Sequence, residues 1–336
     1  MTQTTRALIA RQTEDQAKSR KYDVGFEDLP LSDLPQGEAG EVLVRISHSA
    51  LNYKDALAIT GRAPIIRKFP MVLGIDLAGE VVESASAEFT PGDQVLVNGY
   101  GLSETLWGGY SQFQRLPARV VQKLPAGFTP EQAMQIGTAG YTAMLCVMAL
   151  TDHGLEPGRD NVLVTGATGG VGSVAVSLLA KAGYSVTAVT GRSEQAGFLK
   201  DLGAAEVVSR DDIDAGGRPM AREAWSGAID VAGGKLLADV IAQTRYDGIV
   251  AACGMAGGGE LNTTVYPFIL RGVTLRGVDS VMVPMARRIR AWDRLAAELD
   301  RDLLAELSET RDFAELPQLG ADLLDGKLKG RIAIAL

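Results

Sequence analysis

The chain has 336 residues, enough for one large core or, as expected here, two domains of ordinary size. A formal net charge of −8 argues against a nucleic-acid surface, and no apolar run approaches the roughly twenty residues that span a bilayer. Two cysteines, Cys146 and Cys253, stand far apart in apolar contexts, which excludes a disulfide framework and a cysteine-rich zinc site and predicts two buried thiols in a cytoplasmic protein.

The N-terminal part reads as β-rich. Arg6 to Ala10 predicts a first strand, and Glu41 to Ser47 alternates, with Val42, Val44 and Ile46 on one face. His48 continues that face and reads as a satisfied core or boundary histidine. After Leu51-Asn-Tyr-Lys-Asp55 comes a loop, Gly61 to Pro70, dense in turn residues and cations, a candidate lid. Val72 to Val82 and Pro91 to Val97 have the grammar of small-barrel strands joined by tight turns, and Trp107 to Phe113 and Val120 to Leu124 read as further strands. Asp76 is an acid inside an apolar run, open between a structural and a functional role.

At Thr129-Pro-Glu-Gln-Ala-Met134 the texture turns helical, with an N-cap threonine and proline at the first position. The expected division is residues 1–129, 130–285 and a C-terminal return, 286–336. Met134 to Leu150 is an apolar helix whose Gly137 and Gly140 predict close packing. From Val162 onward strands and helices alternate as far as Thr274 to Val278, which predicts a doubly wound parallel sheet in an α/β protein. Met285 to Leu307 and Glu315 to Leu324 are amphipathic, and Gly330 to Leu336 is a terminal strand suited to a chain returning to its first domain. Thr274 to Val278, as an exposed edge strand, predicts a homodimer.

One stretch dictates a ligand. Asn161-Val-Leu-Val-Thr-Gly-Ala-Thr-Gly-Gly-Val-Gly172 reads as strand, glycine turn and helix. Ala167 permits the turn, Gly169 lets backbone approach a pyrophosphate, and Gly172 allows helix-to-strand packing, with the anion on the free N–H groups of the helix start. No Lys-Ser or Lys-Thr follows, which argues against a triphosphate P-loop. About twenty residues on, where an NAD enzyme offers Asp or Glu to the ribose 2′-hydroxyl, stand Thr190, Gly191 and Arg192. Two hydrogen-bonding positions and a guanidinium suit a 2′-phosphate, so the expected cofactor is NADPH.

Asn52-Tyr-Lys-Asp55, Gly74-Ile-Asp-Leu-Ala-Gly79, Pro91-Gly-Asp93, Trp107-Gly-Gly109, Gly137-Thr-Ala-Gly140 and the glycine turn occur in an order that resembles the medium-chain dehydrogenase/reductase superfamily, nearly end to end. Within it the chain most resembles the bacterial acrylyl-CoA reductase branch, long labelled quinone oxidoreductases, through Leu51 to Gly61, Ile136 to Leu150, Val250 to Gly254, Pro267 to Arg271 and Gly277 to Ser280. The resemblance implies a GroES-like N-terminal domain, a Rossmann domain and the C-terminal return. It also implies cofactor contacts at Tyr53, Thr168, Gly169, Gly170, Val171, Thr190, Gly191, Arg192 and Arg210. Zinc-dependent members place Cys at the position of Asn52 and a His-Glu pair at Ile75 and Asp76, with a four-cysteine lobe after Leu96. Only the acid is present, so no metal is expected.

The activity implied is NADPH-dependent reduction of the double bond of a short 2-enoyl-CoA, with acrylyl-CoA giving propanoyl-CoA. Charge then gathers on the thioester oxygen, and Asn52 and Tyr53 are the neutral donors expected to hold it. Arg62, Arg67 and Lys68, with Arg287, Arg288 and Arg290, are the clusters available to CoA phosphates. Reduction of a quinone or free enone is the alternative, and a catalytically silent NADPH-binding protein of the lens-crystallin kind is a third possibility.

Overall fold

The computed structural model describes residues 4–13, 22–37 and 41–336; residues 1–3, 14–21 and 38–40 of the expected first domain lie outside the described residues. The chain forms two compact units. One comprises Met1–Thr138, Val281–Arg290 and Leu304–Leu336; the other comprises Ala139–Ser280 and Ala291–Leu303.

The first unit is built on β-sheet. Its larger sheet orders the strands Ser308–Asp312, Arg331–Ala335, Val42–Leu51, Asp76–Ser84, Gln94–Asn98 and Gln122–Lys123, with Phe113–Leu116 also pairing with Val42–Leu51. The terminal strand Arg331–Ala335 lies antiparallel to Val42–Leu51, Ile332 opposite Leu51, so the chain does return to its first sheet. A smaller sheet joins Thr4–Gln12 to Tyr22–Pro30 and Met71–Val72. Val42, Val44, Ile46, Leu77, Val81, Val95 and Val97 fill one core, and the helices Tyr53–Thr60 and Leu316–Leu324 cover another through Ile59, Leu316 and Leu319.

Several local expectations are corrected here. Trp107 to Gln112 is irregular rather than a strand, because Gly108 and Gly109 bring its backbone against Gly74 and Asp76 with no room for a Cβ. Val120 to Leu124 shrinks to the two-residue strand Gln122–Lys123. Met285 to Leu307 is two helices, Met285–Glu298 and Arg301–Leu307.

The second unit holds a six-stranded, wholly parallel sheet. Its order is Glu206–Ser209, Ser185–Thr190, Asn161–Val164, Trp225–Asp230, Thr244–Ala252, Thr274–Gly277. That is the strand order of a doubly wound dinucleotide-binding sheet, in which successive strands are added first on one side of Asn161–Val164 and then, from Trp225–Asp230 onward, on the other; ligands of such sheets bind outside the carboxyl ends at that switch point.

The helix Pro130–His153 begins in the first unit and ends in the second. Thr129 caps it as expected: its Oγ accepts from Gln132 N–H at 3.2 Å and its N–H donates to Gln132 Oε1 at 3.1 Å. Contrary to the sequence reading, it is long and apolar enough to cross a membrane, but 78% of its apolar window is buried inside the protein, as in a core helix. At Gly137 the backbone turns left-handed, φ 51°, and breaks the helical path.

Candidate active site

In the second unit the carboxyl end of Asn161–Val164 runs into a turn whose left-handed residue is Gly166, φ 58°, rather than Ala167, which is fully buried. Gly172 packs as expected: a Cβ there would lie 2.7 Å from the Cα of Ala167. The helix Gly170–Lys181 follows directly, so the N–H groups of Gly170, Val171 and Gly172 lack acceptors within it, and no acid stands in its first turn. The cradle is therefore open to an anion. Thr165 secures the switch point: its hydroxyl donates to Asp230 Oδ1 at 2.7 Å and accepts from Val231 N–H at 2.9 Å, while Asp230 Oδ2 accepts from Gly233 N–H at 2.7 Å. Burial raises the Asp230 carboxyl.

At the end of the second strand, Thr190 is buried and its Oγ accepts from Arg192 N–H at 3.0 Å. Thr190 lies opposite Ser209 in parallel register, so Gly191 and Arg210 leave neighbouring strands side by side. Arg192 and Arg210 form no ion pair among the described residues. Two uncompensated guanidinium groups beside a strand end without a carboxylate fit a 2′-phosphate.

Asn52, Tyr53 and their neighbours lie in the first unit. Asn52 is the N-cap of Tyr53–Thr60 and Asp55 closes a capping box, its Oδ2 accepting from Asn52 N–H at 3.0 Å. The Asn52 amide nitrogen donates to Asp55 Oδ2 at 3.1 Å and to Asp76 Oδ2 at 2.8 Å. Asp76 is fully buried and also accepts from Asn98 Nδ2 and Thr138 N–H, both at 2.8 Å, and from the Thr138 hydroxyl. Both amide hydrogens of Asn52 are thus committed to carboxylates, which corrects the expectation that this side chain is a free donor. Tyr53 is 61% exposed, and its hydroxyl makes no hydrogen bond among the described residues.

Asp55, missed at the level of sequence function, is the strongest electrostatic feature of this cluster. Burial first, and then the charge of Asp76, push its carboxyl up to about 7, against the hydrogen bonds it accepts from Asn52 and from Ile75 N–H at 2.9 Å. Arg331 is buried beside both acids; desolvation lowers its guanidinium while Asp76 and Asp55 oppose the shift. The spacing Asn52-x-x-Asp55 is itself a capping-box signal that could have revealed the helix. Zinc does not fit: Asn52 presents donors, Ile75 is aliphatic, and both Asp76 oxygens already accept hydrogen bonds.

His48 is half-buried, with Nδ1 3.1 Å from Ser47 Oγ, and burial lowers its imidazole. The cation clusters are partly spent. Arg62 pairs with Asp325, and Arg67 and Lys54 with Glu104. Arg288 is buried, donating to Asn98 O at 2.6 Å and stacking 4.1 Å from the Tyr100 ring centroid, so it is no phosphate ligand. Cys146 is buried as expected, but Cys253 is only partly so, and the two thiols meet: the hydrogen bond to Cys253, with burial, raises the Cys146 thiol.

Comparison with known proteins gives these elements a family. Residues 38–126 match the alcohol dehydrogenase GroES-like domain and residues 170–297 the zinc-binding dehydrogenase domain. The acrylyl-CoA reductase AcuI of Ruegeria pomeroyi is 48% identical, covering 98% of each chain. The putative quinone oxidoreductase YhfP of Bacillus subtilis is 42% identical, again over 98% of each. Among solved structures, the yhdH oxidoreductase of Salmonella enterica in complex with NADP superposes with a TM-score of 0.93 at 47% identity, covering 98% of this chain and 99% of that one.

Proposed function

The chain belongs to the medium-chain dehydrogenase/reductase superfamily, and from that premise we propose that it is an NADPH-dependent reductase of the carbon–carbon double bond of a short 2-enoyl-CoA, acrylyl-CoA to propanoyl-CoA. The observation that carries this reading is the near full-length similarity to an acrylyl-CoA reductase in a chain whose strand Ser185–Thr190 runs directly into Gly191 and Arg192. When bound, NADPH supplies the hydride that adds to the β-carbon.

The protein's own residues do the rest. The N–H groups of the helix start and Thr168, Gly169, Gly170 and Val171 hold the pyrophosphate, and Thr190, Gly191, Arg192 and Arg210 hold the 2′-phosphate. As the β-carbon gains the electron pair, negative charge moves to the thioester oxygen, and a donor aimed at that oxygen stabilises it more than the ground state. Tyr53, with a free hydroxyl, takes that role; Asn52, clamped between Asp55 and Asp76, fixes the turn from which Tyr53 projects. A proton delivered to the α-carbon completes the reduction. No step uses a metal.

In this reading the protein is cytoplasmic, a reducing setting that suits two free thiols. It is a homodimer: the edge strand Thr274–Gly277 and the exposed Val265, Ile269 and Leu270 beside it supply pairing groups and apolar area. Similarity to a putative quinone oxidoreductase supports quinone or enone reduction as the second reading. NADPH consumption against acrylyl-CoA, crotonyl-CoA, quinones and simple enones tests the assignment. The CoA thioesters should have the highest kcat/KM; a quinone in first place would favour the second reading, and no acceptor at all would leave a silent cofactor-binding protein.

A further inference from the structure

Gly191 has no catalytic atom and no left-handed backbone to explain it. What it has is a neighbour. A Cβ built on Gly191 would stand 2.6 Å from Arg210 Nη2, 2.7 Å from Nε and 2.8 Å from Cζ. Three guanidinium atoms at nearly one distance mean that the face of the Arg210 guanidinium covers the space a Cβ of residue 191 would occupy. The register explains how: Thr190 is opposite Ser209, so the next residues of the two parallel strands emerge abreast. Arg210 is then held by the short helical turn Arg210–Asp212, in which the Ser209 N–H donates to Asp212 Oδ2 at 2.8 Å.

We infer that Gly191 is a positioning residue: its bare backbone is the seat on which the Arg210 guanidinium rests, and through that seat it sets the preference for a 2′-phosphorylated nicotinamide dinucleotide over the unphosphorylated one. The inference rests on the cofactor reading above and deepens it. An unrestrained arginine side chain carries much rotamer freedom, which an anion must freeze on binding; a planar group packed face-on over the bare Cα of Gly191 has already lost part of it. Any side chain at 191 fills the seat. Arg210 keeps its charge but is pushed off the position from which it shares the phosphate with Arg192.

The test is a double-mutant cycle read by calorimetric binding of NADPH and NADH to the full-length protein. Gly191→Ala should raise the NADPH dissociation constant about tenfold, the scale of one charge-assisted contact, and lower the NADPH-to-NADH preference by the same factor. In an Arg210→Ala background it should add less than about twofold, because its partner is gone. Arg210→Lys, which keeps the charge without the planar face, should also lose most of the preference. An unchanged preference in Gly191→Ala or in Arg210→Lys, or effects of Gly191→Ala and Arg210→Ala that multiply, would overturn the inference while leaving the cofactor assignment intact. Equal affinity of the unmutated protein for both nucleotides would overturn both.

Discussion

Asn52 and Tyr53 are adjacent in sequence, yet their surroundings predict opposite consequences of mutation. Asn52→Ala removes two hydrogen bonds to buried carboxylates, at 3.1 Å to Asp55 and 2.8 Å to Asp76. At about 1.5–3 kcal/mol for a hydrogen bond to a charged group, the loss is about 3–6 kcal/mol. The Asp55 bond belongs at the low end, because a carboxyl pushed up to about 7 is partly neutral at neutral pH. Against a total of about 5–15 kcal/mol for a native protein, this variant should unfold at a much lower urea concentration. Tyr53→Phe removes one solvent-facing hydroxyl, so stability should stay within about 0.5 kcal/mol. If that hydroxyl holds the developing enolate, kcat with acrylyl-CoA should fall on the order of 10²–10³-fold, with little change in KM. Urea denaturation and steady-state kinetics on both variants decide the matter. An Asn52→Ala protein as stable as its parent but catalytically dead would return the donor role to the amide and refute this reasoning. Full kcat in Tyr53→Phe would hand the oxygen to backbone N–H groups.

Arg192→Ala should weaken NADPH binding by about 1.5–3 kcal/mol and scarcely alter NADH, as measured by titration; equal loss for both would remove Arg192 from the 2′-phosphate site. Activity should survive exhaustive chelation, since Asn52, Ile75 and Asp76 form no zinc donor set; one zinc per chain with activity following it would contradict this. Asp55 gives a pH signature. Its folded value, about 7, lies above the ordinary 3.8, so the folded state holds the proton more tightly and stability should decline as pH rises from about 4 through about 7, then level. Asp55→Asn should flatten that decline in melting temperature between pH 5 and 8; an identical slope in parent and variant would mean Asp55 is not its source.

The parallel sheet was legible because its central strands, such as Asn161–Val164, Ser185–Thr190 and Thr244–Ala252, carry their own apolar runs and alternate with helical stretches. The cofactor cradle was legible because backbone approach to a phosphate demands glycines at fixed spacing. Elements specified by partners rather than by themselves were not. Ser308–Asp312, Ser-Glu-Thr-Arg-Asp, has no strand pattern and exists by pairing with Arg331–Ala335. Tyr22–Pro30 is paired residue by residue with Thr4–Gln12 despite three acids. Arg288 read as a cation available to a phosphate and Arg331 as one residue of the terminal strand, and only the fold shows the first bonded to a carbonyl 190 residues away and the second beside two buried acids. The role of Asn52 was misjudged partly for the same reason: its residue type announces a donor, but of the two carboxylates that consume it only Asp55 stands nearby, in the capping box, while Asp76 is brought in from 24 residues along the chain.

The central claim is hydride transfer from NADPH to the β-carbon of an enoyl thioester, and isotope placement tests it most directly. NADPH carrying deuterium on both C4 positions, incubated with acrylyl-CoA and the protein, should yield propanoyl-CoA with one deuterium at C3 and a solvent proton at C2. Deuterium at C2, or no propanoyl-CoA while a quinone is reduced under the same conditions, would contradict the account.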